Sequence, residues 1–400
     1  MKRREFLWRA AATVGGAGML PACAPRYGLT PAAPLMEQAD VFVAGSGYPT
    51  YRIPSLLTTR RDTLLAFSEG RQGKGDHTEN EIVLRRSGDR GRSWGEMQPL
   101  VGDRPNVLVN PTAVEDRDTG RIWLMFQRYP EAAREREVVA GLEGDRVCRS
   151  FIIHSDDDGR SWSAPTETTR SVKRPTVATS LASGPGVGIQ LRRGPHRGRL
   201  IVPFNQGPPG AWKVYAAYSD DHGRSWKYGE TAPDSAPPGT GNEVQVVERP
   251  DGSVMLNARN QAGNHCRKTA LSQDGGESWS PLQDDPMLIE PQCQGSIVRL
   301  GDPLDGERSL ILFCNPASTT ARVNGTVRLS YDEGKSWPVS RVIYPGSFAY
   351  SCLTVLGDGT IGLLYERDDY GKIAFARFDL AWLLAGKDAL GTVDPPGPLR

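Results

Sequence analysis

The 400-residue chain is poor in the residues that build metal centres and disulfide frameworks. Its six cysteines are thinly spread, with no Cys-x-x-Cys pair, and its five histidines fall at no ligand spacing. No metal site and no cofactor are therefore expected. Charge of one sign is also missing: 48 Lys and Arg stand against 47 Asp and Glu, a formal net of +1. A near-neutral surface supplies no field for holding a phosphate backbone, so nucleic acid is excluded as a partner. Nor is there an apolar run of spanning length: Ala10–Leu20 is about half of the ~20 residues a membrane helix needs. With 38% hydrophobic and 24% charged residues, the composition is nevertheless that of a folded globular protein.

What the chain does have is turn residues, 45 Gly and 31 Pro, which favour many short strands. Its start reads as an address. Arg3-Arg4, then Glu5-Phe6-Leu7 and the small apolar run, resemble a twin-arginine export signal over residues 1–22. Leu20-Pro21-Ala22-Cys23 resembles a lipoprotein box, with Cys23 as the lipidated residue. The expectation is export to the periplasm or cell surface, anchored by lipid, or otherwise secretion. Residues 23–39 form a Pro/Ala-rich linker, and residues 386–400 a Pro/Gly-containing tail. The five remaining cysteines, Cys148, Cys266, Cys293, Cys314 and Cys352, read as small buried hydrophobes.

The strongest signal is a repeated octapeptide, Ser-x-Asp-x-Gly-x-Ser-Trp. It occurs at Ser87–Trp94, Ser155–Trp162, Ser219–Trp226, Ser272–Trp279 and Ser330–Trp337. The aspartate suits an Asx-type turn, the glycine allows positive φ, and the tryptophan can anchor the turn to a sheet. Strand-like runs precede each box, for example Ile82–Arg85 and Val214–Tyr218. The boxes start 68, 64, 53 and 58 residues apart. Residues 40–385 then hold about six such units, which predicts an all-β, six-bladed β-propeller of four-stranded antiparallel blades. The boxless unit is expected at the chain ends, where a strand near Asp40–Ala44 would join Cys352–Leu356, Ile361–Tyr365 and Ile373–Phe378 and leave no exposed edge. The charge-rich Glu131–Ala140 is read as a short helix in a loop, and the residues from Ala381 as helical.

Tyr51-Arg52-Ile53-Pro54, followed by Phe67-Ser68-Glu69-Gly70-Arg71 and the five boxes, resembles the sialidases of glycoside hydrolase family 33. The resemblance covers nearly all of residues 40–385. It implies an exo-α-sialidase that releases terminal sialic acid from glycoproteins, glycolipids or oligosaccharides with retention, working as a monomer. Carried over position by position, it gives Arg52, Arg259 and Arg322 as the arginines that bind the substrate carboxylate. Asp76 becomes the general acid/base, Tyr350 the nucleophile and Glu243 its partner. Glu366 holds Arg52, and Arg71 contacts the sugar.

The residue types suit this chemistry. Sialic acid carries a carboxylate on its anomeric carbon, and guanidinium forks pair with carboxylates bidentately and stay charged. An anionic nucleophile would be repelled there, whereas a phenol is neutral; with an unperturbed pKa of ~10 it needs a base beside it. Two rivals remain: a trans-sialidase or a hydrolase of a related nonulosonic acid, which would share the catalytic set, and a non-catalytic propeller that binds sialoglycans. The second would be expected to lack Asp76, Tyr350 or an arginine, and this chain has all of them.

Overall fold

A computed structural model describes residues 33–131 and 133–384. The export signal, Cys23, most of the linker and the tail lie outside these residues. These residues are all-β, apart from a helical turn at Thr169–Val172, a 3-10 turn at Pro303–Asp305 and the short helix Leu380–Leu384. No helix among the described residues is long and apolar enough to cross a membrane.

Among the described residues the strands form five hydrogen-bonded sheets, two of four strands, two of five and one of seven. No sheet closes on itself, and the expected six is not the number of hydrogen-bonded sheets. The seven-stranded sheet is built around one long strand, Val339–Val355. Its first half pairs with Val323–Ser330 and its second half with Ile361–Arg367. Among the described strands pairing is antiparallel except for Gly186–Val187, which lies parallel to Val107–Asp116, and an isolated bridge between Trp212 and Thr240 is also parallel. The N-terminal strand pairs with Lys372–Phe378, as expected, but runs over Met36–Val43 and so begins inside the segment read as linker. The Leu35 N–H bonding to Asp379 extends that edge further.

Strands packed on both faces read as continuous apolar runs rather than alternating ones. Thr50–Thr58 and Leu64–Arg71 are buried at every position. By contrast Gln98–Val101, at the edge of the same sheet, is short and largely open to water. The core is a series of layers between neighbouring sheets. Leu65, Phe67 and Ile82 pack on Ala113, Leu124 and Ile153; Trp123 and Met125 on Phe204 and Tyr215; Ile201 and Ala216 on Val246 and Leu256; and Val247 and Met255 on Ile311 and Phe313. At the chain ends Phe42, Ile373 and Phe375 pack on Leu56, Leu64 and Val83.

The boxes are the junction pieces. In all five, the first serine hydroxyl accepts the glycine N–H at 2.8 Å, and the aspartate accepts the second serine's N–H. Every box glycine has positive φ and backs onto the preceding sheet unit: Gly159 onto Leu65, Gly223 onto Trp123, Gly276 onto Ala216 and Gly334 onto Met255. Gly91, in the first box, backs onto Phe375 near the other end of the chain, where a Cβ would run into the ring. At Gly91 the small residue is thus needed for close approach as well as for φ.

Two other expectations are corrected or met. The described residues of Glu131–Ala140, all but residue 132, form turns and irregular backbone, not a helix, because their groups bond locally: the Arg134 N–H to Glu137 at 2.8 Å and the Val139 N–H to the Arg146 carbonyl at 2.9 Å. The five cysteines named above are all free and buried.

Candidate active site

Arg52 lies near the start of Thr50–Thr58, and Glu243 near the start of Gly241–Glu248. Arg71, Arg259 and Glu366 lie at or near the ends of the strands that follow an inner strand. Antiparallel pairing puts starts of the first strands beside ends of the second, so these side chains share one end of the molecule. A cavity of about 590 Å³ opens at the opposite end, between Thr58, Glu115, Val247 and Thr354, and none of the candidate residues reaches it.

Arg52 is only 6% exposed. Its Nε donates to the buried Glu366 at 2.7 Å. The same carboxylate accepts the backbone N–H groups of Ile53 at 2.8 Å and of Tyr350 at 3.1 Å. One glutamate therefore ties an arginine to the strand that carries the tyrosine. Ile53 has φ +60°, a conformation that β-branched residues avoid, at a register shift between Arg52 and Ser55. Such bulges re-aim a neighbouring side chain, and here the neighbour is Arg52.

Tyr350 is the point where the candidates converge. Its hydroxyl donates to Glu243. Arg259 reaches both the Tyr350 oxygen, at 3.2 Å, and Glu243, at 2.9 Å. The guanidinium groups of Arg52 and Arg322 each lie 5.4 Å from the Tyr350 ring. Burial, and next the charge on Glu243, push the Tyr350 phenol well above its ordinary value; Arg259 and Arg322 act against this. Burial works against charge on Arg52 and Arg259, but Glu366 and Glu243 outweigh it, so both stay firmly protonated.

Asp76 sits on the loop after Leu64–Arg71 with its side chain 73% exposed at the site's mouth. Arg71 donates to it at 2.7 Å, and Arg52 approaches to 3.9 Å. The loss of water around the carboxylate opposes its charge, but Arg71 and then Arg52 prevail and hold it below the ordinary carboxylate range. Arg71 itself is buried and is occupied by Glu69, the Gly75 carbonyl and Asp76. His77, next along, has its pKa lowered by burial and packs edge-on against Tyr129.

All eight sequence-nominated residues thus fall in one region, and the geometry adds others. Glu69 is fully buried, holds Arg71 at 2.6 Å and accepts the Asn110 N–H at 2.7 Å. Its signal was a charged i, i+2 pair on one face of an otherwise apolar strand. Asn80 fastens the Asp76 carbonyl at 2.8 Å. Glu135, on the turn-rich loop, is pushed to about 7 by burial and then by the charges of Glu243 and Asp76. Tyr370 lies against Arg52 and Arg322. Neither Glu135 nor Tyr370 carries a sequence signal. Among the described residues, the one group with metal-ligand proximity is Asp116, Asp118 and His222, which lies outside this site. There the Gln190 amide already donates to both aspartates, at 2.9 and 3.1 Å.

A layered all-β protein with Asp-box turns and a tyrosine set among arginines and glutamates defines a narrow class. Residues 59–363 match the family model of the BNR repeat-like domain. The chain is 40% identical to a sialidase of Micromonospora viridifaciens, over 94% of this chain and 58% of that one. It is 30% identical to sialidase-2 of Mus musculus, over 87% of this chain and 96% of that one. Among solved structures it is similar to the Hadza microbial sialidase Hz136, with 29% identity, a TM-score of 0.75, and coverage of 85% and 68% of the two chains. The chain belongs to the sialidase family, whose solved structures are propellers. It spans about three fifths of the length of the Micromonospora relative.

Proposed function

We propose that this chain is an exo-α-sialidase that cleaves terminal sialic acid from glycans with retention of configuration, using Tyr350 as nucleophile. The observation that carries the reading is the Tyr350 hydroxyl held between Glu243 and Arg259, with Arg52 and Arg322 beside the ring. Arg52, Arg259 and Arg322 would take the substrate carboxylate. Glu243 accepts the phenol proton as the oxygen attacks the anomeric carbon. Asp76 gives its proton to the leaving oxygen, then removes one from the water that releases the sugar. Arg71 orients Asp76 and the sugar; Glu366 keeps Arg52 aligned.

Asp76 starts below the ordinary carboxylate range, which suits a base better than an acid. A bound substrate carboxylate would neutralise part of the arginine charge and raise the Asp76 pKa toward the acid's task. On the fold, the reading is six blades. The long strand Val339–Val355 serves two four-stranded units, and the first box backs onto Phe375. In the same reading the chain is exported, lipid-anchored through Cys23 and monomeric.

Proton NMR of a sialyl-lactose digest tests the function. The α anomer of free sialic acid is expected first. First release of the β anomer would overturn the retaining mechanism, and a sialylated acceptor in place of free sugar would make the chain a trans-sialidase. No cleavage, with binding preserved, would make it a sialoglycan-binding propeller.

A further inference from the structure

We propose that Tyr370 is a positioning residue that fixes both Arg52 and Arg322 for the substrate carboxylate, its own place enforced by a strained turn. The proposal rests on the sialidase reading above. The Arg52 guanidinium lies 4.0 Å from the centre of the Tyr370 ring, its nearest aromatic contact. Arg322 donates to the Tyr370 hydroxyl at 3.2 Å. One side chain therefore stacks on one arginine of the triad and accepts a hydrogen bond from another. The ring also packs against the cluster of Ile53, Cys293, Ala349 and Tyr350.

The backbone beneath it is exceptional. Asp368, Asp369 and Tyr370 have φ values of 55°, 50° and 68° in succession. L-residues visit this region singly, and three in a row carry a penalty that the surrounding structure must impose. The turn joins Ile361–Arg367 to Lys372–Phe378 and is closed by the Gly371 N–H on the Asp368 carbonyl at 2.9 Å. It is pinned from outside by Tyr344 on Asp368, by the Asp369 N–H on Ser347 at 3.1 Å, and by the Ala44 N–H on the Gly371 carbonyl at 2.9 Å. A glycine-rich hairpin would connect the strands without strain. What the strained turn gains is the direction of Tyr370.

The chemistry of the contact matters as much as its position. Glu366 meets Arg52 at Nε, and Tyr370 covers its face. Among the described residues Arg322 bonds only neutral oxygens, those of Tyr370 and of the Gln292 carbonyl. A tyrosine there orients the guanidinium without neutralising it, which leaves its charge for a carboxylate ligand. An aspartate or glutamate in that place would compete with the ligand.

The test compares Tyr370→Phe and Tyr370→Leu with wild type on 4-methylumbelliferyl sialoside and on its carboxyl methyl ester. The phenylalanine variant keeps the stacking and loses the acceptor for Arg322. Its KM for the free acid should rise about tenfold, with a smaller change in kcat. The leucine variant loses both contacts, and its kcat/KM should fall about hundredfold. In both, the preference for acid over ester should shrink by a similar factor. A residue that merely supports the fold would lower the melting temperature or the active fraction and leave that preference intact. A wild-type KM and acid-to-ester ratio in either variant would overturn the proposal; where leucine prevents folding, phenylalanine decides alone. Failure of the sialidase reading looks different: wild type itself would not cleave the acid, or would not prefer it to the ester.

Discussion

Glu366 is the most informative single position, because one side chain serves two jobs. Its carboxylate is fully buried and accepts three donors, from Arg52, Ile53 and Tyr350. In Glu366→Gln the shape is kept, but one oxygen becomes an NH₂ group that faces a donor instead of accepting from it. The Arg52 guanidinium, nearly as buried, loses its partner. Removing one member of a buried pair costs ~3–5 kcal/mol, mostly for the charge left behind. For roughly 350 ordered residues at ~2.1 cal/mol/K each, the unfolding entropy is ~0.7 kcal/mol/K, so the melting temperature should drop by ~4–7 °C. Calorimetry measures this without reference to activity. The same variant should lose kcat/KM at least ~10²-fold, since both the Arg52 fork and the Tyr350 backbone lose their anchor. The loss should be smaller in stability when a carboxylate ligand is present to stand in as the partner of Arg52. A variant within ~1 kcal/mol of wild type, with near-normal kcat/KM, would refute the idea that this glutamate organises the site.

Arg259→Lys and Arg322→Lys should each cost ~2–5 kcal/mol in substrate or transition-state binding, because a point charge cannot reproduce the fork; kcat/KM for sialyl-lactose measures it, and rescue by lysine would sink the triad. Asp76→Asn should slow sialyl-lactose cleavage by ~10²–10⁴-fold and slow an aryl sialoside with a good leaving group far less; equal losses would remove Asp76 from the acid role. Glu135→Gln should flatten a pH dependence of stability. The Glu135 pKa is raised to about 7 from 4.5, so the folded state binds the extra proton between those values. Stability should therefore fall as pH rises through that window, and the penalty should be complete above about 7. Denaturant midpoints at pH 5 and 8 that move equally in wild type and variant would contradict this.

Much of the fold was legible because its signals are contiguous. Each box is eight residues whose roles are local: Ser87 and Asp89 bond the turn that Gly91 permits. What lay hidden was the far side of the box, since Gly91 meets Phe375 only after the chain has travelled through all its sheets. The site shows the same division. Arg52, Glu243 and Tyr350 were nominated by motif resemblance, but residues 107 apart, such as Glu243 and Tyr350, meet only through the fold. Glu135 was invisible because its unusual carboxyl comes from neighbours, not from a motif. Glu131–Ala140 was misread because helix-forming residue types say nothing of the local bonds that pull the segment into turns.

The distribution of charge over the arginines supports the proposal that an anion binds here. Arg52 has Glu366, Arg71 has Glu69 and Asp76, and Arg259 has Glu243. Among the described residues Arg322 has no carboxylate partner, only the Tyr370 hydroxyl and a backbone carbonyl. Partly buried charges are costly unless paired, and folding alone gives no reason to leave one in this state beside two other arginines. In the proposed mechanism a ligand carboxylate would supply the missing charge. The same arrival would weaken the hold of Arg52 on Asp76 and favour the proton that the leaving oxygen requires. On that proposal, recognition of the acid group and the readiness of the proton donor would be one electrostatic event, joined through Arg52.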